Sequence, residues 1–187
     1  MYDIIIIGAG PAGASAALFC AKAGKKTVVI DADQSITKRA WIENHYGVMA
    51  IAGPELVETG KKQAAQFGAH FVHDKAVNIV KTDAGLRVDL ESESLEATHV
   101  ILATGVAAEL AEAAGLETKP ATEPRMKTRV VVNGQGQTAV SGIWAAGTIA
   151  GCSVHTIITA GDGARVAINV ISELNGERYV DHDVLKS

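Results

Sequence analysis

Tyr2-Asp3-Ile4-Ile5-Ile6-Ile7 is a run of strand-forming residues that leads without a break into Gly8-Ala9-Gly10-Pro11-Ala12-Gly13. A strand, a G-x-G-x-x-G turn and a helix in that order form a dinucleotide-binding fingerprint. Gly8 allows the tight turn out of the strand, Gly10 lets the backbone approach a pyrophosphate, and Gly13 lets the helix pack close to the strand. Pro11 and Ala12 open that helix, whose free N–H groups and dipole favour an anion. A second apolar strand, Thr27-Val28-Val29-Ile30, ends in Asp31, eighteen residues after Gly13, where a carboxylate meets ribose hydroxyls.

The following segments continue the α/β pattern. Pro11 to Ala23 reads as a helix rich in small residues, closed by Gly24. Residues 32–53 show no clear period and form a long loop of the kind that often carries function. A helix opens at Gly53-Pro54-Glu55 and runs to about Gln66. Ala69–His73, Ala76–Thr82, Leu86–Leu90 and Thr98–Leu102 read as strands, the second and third joined by a turn at Asp83-Ala84-Gly85. Ala107 to Ala114 is Ala/Glu-rich. Arg129–Val132, an Asn133-Gly134 turn and Gly142–Ala145 read as closing strands. A last helix spans about His155 to Leu174, with Ile157, Gly161, Ala164, Ile168, Ile171 and Leu174 as the face expected against the sheet.

The fold class expected is therefore α/β: a Rossmann-like fold with a central parallel sheet, flanking helices and a small additional β-meander. At 187 residues, a single domain over 1–187 is the expectation. The net charge of −4 argues against a nucleic-acid partner held through phosphates. The apolar start is too short to span a membrane, so no membrane partner and a cytoplasmic location are expected. Cys20 and Cys152 form no C-x-x-C and no metal-ligand spacing, which leaves no metal site expected.

Three further segments extend the fingerprint: Ile101-Leu102-Ala103-Thr104-Gly105, Gly142-Ile143-Trp144-Ala145-Ala146-Gly147-Thr148, and the helix start His155-Thr156-Ile157. In this order they resemble the FAD-binding domain of the thioredoxin reductase-like pyridine nucleotide-disulfide oxidoreductases. Glu43-Asn44-His45-Tyr46-Gly47 is similar to that family's Glu-Asn-aromatic-Pro-Gly loop, in shifted form. The resemblance implies an extended FAD, with Gly8 to Gly13 at the pyrophosphate, Asp31 at the adenosine ribose and the backbone of Ala76 and Val77 against adenine. Thr104 and Gly105 would pass near the phosphates and Asn44 near the flavin. Gly147 and Thr148 would meet the ribityl chain, while Thr156 and Ile157 would face flavin N1 and the C2 carbonyl, where a helix N-terminus stabilises the negative charge of reduced flavin.

The sequence departs from that pattern in three places. Only 36 residues, 106–141, separate Gly105 from Gly142, where the family inserts an NADPH domain with a second G-x-G-x-x-G and a redox C-x-x-C; this stretch contains neither. Thr148 stands where the family usually places Asp, at a cost of about 1 to 2 kcal/mol in cofactor affinity. Thr37-Lys38-Arg39 replaces Gly-Gly-Gln.

The resemblance implies an FAD-dependent oxidoreductase that passes electrons to an unidentified acceptor without an internal dithiol. NAD(P)H is the candidate external donor, a partner reductase or acceptor protein the candidate partner, and a homodimer the expected assembly. Two alternatives remain open: a flavin-binding module or half of a split reductase, and an NAD(P) site. Single residues also carry two readings. Arg39 could neutralise a pyrophosphate or a 2′-phosphate, or be a solvated loop charge. His155 could bond the flavin or face solvent. His45 and Tyr46 could line the flavin or pack ordinarily in their loop. Trp41 could cover the flavin ring, Trp144 and Cys20 read as core, and Cys152 reads as a thiol close to a helix N-terminus with a candidate redox role.

Overall fold

In the computed structural model, which describes residues 1–181 and 183–185, β1 (Tyr2–Ile7) lies in the middle of a seven-stranded sheet. It pairs in parallel with β2 (Thr27–Ile30) on one side and β8 (Ser94–Leu102) on the other. β5 (His70–Val72) extends the parallel sheet beyond β2, and β11 (Ile143–Ala145) extends it beyond β8. β1 is apolar and buried from Ile4 to Ile7 because the sheet is covered on both faces there. Ile4 and Ile6 belong to one buried cluster, and Ile5 and Ile7 to the other.

β8 is longer than the strand expected at Thr98–Leu102, and its length explains the mixed sheet. Its first half, Ser94–Ala97, pairs antiparallel with β7 (Gly85–Leu90). Its second half, Val100–Leu102, pairs in parallel with β11 along the same edge. β7 turns back onto β6 (Ala76–Thr82) to complete the expected meander.

One face is covered by α1 (Pro11–Lys22) and α4 (Thr156–Asn175), with α2 (Gly53–Gln66) packed beside α1. The other carries the meander and α3 (Glu109–Ala113). Two elements differ from the sequence expectation. Arg129–Val132 was expected as a closing strand, but β10 (Thr128–Val130) pairs antiparallel with β9 (Thr118–Pro120) in a separate two-stranded sheet. The buried face of α4 is also rotated from the one expected. Thr156, Thr159, Asp162, Gly163, Val166, Ala167, Val170 and Ile171 are buried, whereas Ile157 and Gly161 are exposed. α4 crosses α1 so closely that a Cβ on Gly163 would run into the Ala12 carbonyl, so the contact with α1 sets the rotation. The aperiodic 32–53 segment contains a 3₁₀ turn (Ile36–Arg39) and a hairpin of β3 (Trp41–Ile42) with β4 (Ile51–Ala52).

Candidate dinucleotide site at the carboxyl edge of the sheet

The parallel strands all end on one edge, and the backbone ties their exits together. Gly8 N–H donates to Ile30 O at 2.8 Å, Ala103 N–H to Ile7 O at 2.8 Å, and Ala146 N–H to Leu102 O at 2.8 Å. A groove of about 690 Å³ opens above these exits. Crevices outside the carboxyl ends of strands, where the chain order reverses, are where open α/β sheets bind ligands.

Of the sequence-predicted residues, Gly8, Gly10, Pro11, Ala12, Asp31, Ala76, Val77, Thr104, Gly105 and Thr148 line this groove. Gly8 has φ +106°, a conformation that a side chain strains. Gly13 is set by packing, since a Cβ there would strike the Gly8 carbonyl. Gly10 faces the open groove, where a Cβ would meet only the Ser35 side chain, at 3.0 Å from its Oγ. Gly10 is also the N-cap of α1 and has no side chain to cap the helix, which leaves N–H groups directed at the groove.

At the far end Asp31 is buried, and its neighbours hold it in place. The Asp33 N–H donates to Oδ1 at 2.9 Å, and the Lys61 ammonium on α2 pairs with Oδ2. A carboxylate offers about four lone-pair sites, so acceptor capacity remains for hydroxyls. Val77 is the extra residue of a β-bulge between Ala76 and Asn78, which frees its backbone from the ladder beside the groove. Nearby, the Ser92 hydroxyl and the Lys75 N–H hold the Asp74 carboxyl below the usual carboxylate range.

The remaining predicted residues lie around or behind the groove. Gly147 is buried directly behind Thr148. His155, Thr156 and Ile157 form the start of α4, which lacks a side-chain cap, and Val154 just before them lines the groove. His45 Nδ1 lies 3.0 Å from Thr156 Oγ1, which brings the 43–47 loop onto this helix end. Asn44 in that loop is exposed, as is Arg39 on its 3₁₀ turn. His155 Nδ1 contacts Ser153 Oγ at 2.9 Å and is otherwise exposed.

Two groups that sequence reasoning missed hold the site from behind: Lys61, which pairs with Asp31, and Asp162, which accepts the Gly147 N–H at 2.7 Å. Cys20 is buried in the core as expected, and burial raises its thiol pKa. Burial and the neighbouring Asp162 carboxylate push the Cys152 thiol up to about 11, the reverse of what a nucleophilic thiol needs. Trp144 is core, and Trp41 is 67% exposed.

Parallel strands that end together at a groove, beside an uncapped helix N-terminus and a buried carboxylate, define a Rossmann-like fold. Residues 2–125 and 37–164 match the model of the pyridine nucleotide-disulphide oxidoreductases, and the chain belongs to that family, with the fold of its thioredoxin reductase-like FAD-binding domain. Among curated relatives, it is 41% identical over 121 residues to a thioredoxin reductase of Peptoclostridium acidaminophilum, covering 62% of this chain and 38% of that one. It is 37% identical over 110 residues to that of Aquifex aeolicus, covering 56% and 34%. The chain thus spans little more than a third of these relatives' length. Among solved structures, the atypical thioredoxin reductase TRi of Desulfovibrio vulgaris Hildenborough aligns with a TM-score of 0.84 at 19% identity, over 95% of this chain and 99% of that one. No helix among the described residues is long and apolar enough to cross a membrane, and no group of His, Cys, Asp and Glu there could hold a metal ion.

Proposed function

We propose that this chain is an FAD-dependent oxidoreductase of the thioredoxin reductase type, in which residues 1–187 act as one FAD-binding unit. The observation that carries the reading is the groove itself: one continuous lining joins the uncapped start of α1, the paired Asp31 carboxylate, the Val77 bulge and Thr148. Bound FAD would supply the hydride and electron chemistry. The Ala12 and Gly13 N–H groups at the start of α1 would hold the pyrophosphate, with Gly10 admitting its close approach. Asp31 would accept the ribose hydroxyls, the backbone at Ala76 and Val77 would meet adenine, and Thr104 and Gly105 would border the phosphates. Thr148 would bond the ribityl hydroxyls. The start of α4, with Asn44 and His155 on the same rim, would face the flavin. Electrons would come from NAD(P)H or from a partner reductase and pass to an acceptor.

The test is anaerobic addition of NADPH to the FAD-loaded protein while the visible flavin band is followed. Bleaching supports an enzyme that takes hydride directly. A band that NADPH leaves untouched and dithionite removes contradicts direct reduction. It favours a second reading, one half of a split reductase, for which the 36 residues between Gly105 and Gly142 are the specific observation.

A further inference from the structure

Asp162 is a carboxylate that the binding scheme above does not use, although it is only 9% exposed and lies directly behind the scheme's flavin-side turn. Its Oδ2 accepts the Gly147 N–H at 2.7 Å. Its Oδ1 accepts Arg165 Nε at 2.9 Å and Nη2 at 2.8 Å, and Arg165 Nη1 continues to Gly134 O at 2.6 Å. The Cys152 thiol lies beside this carboxylate. Burying a charge is costly unless it is paired and hydrogen-bonded; here Arg165 pairs with it from the next turn of α4, and the Gly147 bond ties α4 to the turn at the sheet edge.

Gly147, the donor to Asp162, has little freedom of its own. It sits at φ +76°, and a Cβ there would lie 2.7 Å from Ala12 Cβ. It begins the 3₁₀ turn Gly147–Ala150, whose second residue, Thr148, is 5% exposed and lines the groove. The bond to Asp162 therefore fixes the Ala146–Gly147 peptide, one residue ahead of the threonine that lines the groove.

We propose that Asp162 is a positioning residue for the flavin half of the cofactor; this rests on the reading that the groove holds FAD. By holding the Gly147 N–H, with Arg165 holding its other oxygen, Asp162 sets the direction of the Thr148 hydroxyl. A neutral hydroxyl makes weaker bonds than a carboxylate and gains most from being fixed in place. The adenine half, read by Asp31 and Val77 on the far side of α1, does not depend on Asp162.

The test measures affinities for FAD and for ADP in the wild-type chain, Asp162→Leu and Asp162→Asn, by titration calorimetry. Asp162→Leu is expected to weaken FAD about tenfold or more while ADP changes less than about twofold. Asp162→Asn keeps an acceptor for the Gly147 N–H and is expected to retain FAD within about threefold. A merely structural role predicts instead that FAD and ADP weaken together as Tm falls, and that result overturns the proposal, as does unchanged FAD affinity. Should Asp162→Leu not fold, Arg165→Met must show the same split at smaller amplitude, and equal losses there overturn the proposal. A wild-type chain that binds ADP but not FAD, or neither, overturns the reading of the groove and this role with it. A wild-type chain that binds both, with no split in the variants, overturns the role alone.

Discussion

Asp31 carries the most specific chemistry of any single residue here. It is buried, it accepts the Asp33 N–H and it pairs with Lys61, and these contacts fix the direction of its oxygens. Replacing one carboxylate oxygen by an amide removes a charge-assisted acceptor and leaves the Lys61 charge unpaired. Asp31→Asn is expected to weaken FAD about tenfold, read by quenching of flavin fluorescence on titration; unchanged affinity would remove Asp31 from the site. Cys152 gives a prediction of opposite character. Its thiol pKa is raised to about 11 from 9.0, so at pH 8 its thiolate fraction falls about a hundredfold below that of a thiol titrating at 9.0. Alkylation at pH 8, followed by mass spectrometry, is expected to be correspondingly slow and to accelerate only as the pH nears 11. The sign for stability follows: between pH 9 and 11 the unfolded chain releases this proton and the folded chain keeps it, so stability falls as pH rises through that window. Fast labelling at pH 8 would contradict this and revive a redox role.

At the scale of elements, α4 and its crossing with α1 decide the most. Gly163 packs onto the Ala12 carbonyl with no room for a methyl group, whereas Gly161, two residues away, meets nothing. Gly161→Ala is expected to stabilise the fold by about 0.8 kcal/mol through helix propensity alone, and Gly163→Ala to destabilise it by about 2 kcal/mol through overpacking, both by denaturant titration. The same change at both sites giving the same sign would mean that the crossing is looser than described.

This pair also shows what the sequence made legible. β1, its glycine turn and α1 could be read directly because a continuous apolar run, fixed glycine offsets and Pro11 are all local signals. The meander could be read because Asp83-Ala84-Gly85 marks its turn. The buried face of α4 could not, since a helix rich in Gly and Ala gives a weak apolar stripe and the partner that sets its rotation lies on α1. Lys61 and Asp162 were missed for a related reason: each meets its site partner across the fold, and a lone Lys or Asp on a helix reads as solvated. The β9–β10 pair was not foreseen because its three-residue strands are too short to show alternation.

For the molecule as a whole, the segment between Gly105 and Gly142 sets the question. It contributes α3 and the β9–β10 pair, and Val106, Leu110 and Ala113 from it line the groove. The stretch that separates the two halves of the fingerprint thus forms part of the groove wall. In the β3–β4 hairpin and its loop, Trp41, Tyr46 and Met49 are 67%, 92% and 94% exposed. We propose that a second copy of the chain covers them, and sedimentation equilibrium at twice the chain mass is the expected result; a monomer mass at working concentration would contradict it.

The most direct test of the account is to count bound flavin. The chain is saturated with FAD, freed of excess by gel filtration and compared with Gly10→Val, which places a branched side chain where the pyrophosphate would approach. A yellow protein with close to one FAD per chain is expected for the wild type and almost none for Gly10→Val. A colourless wild type, or equal flavin in both, would contradict it.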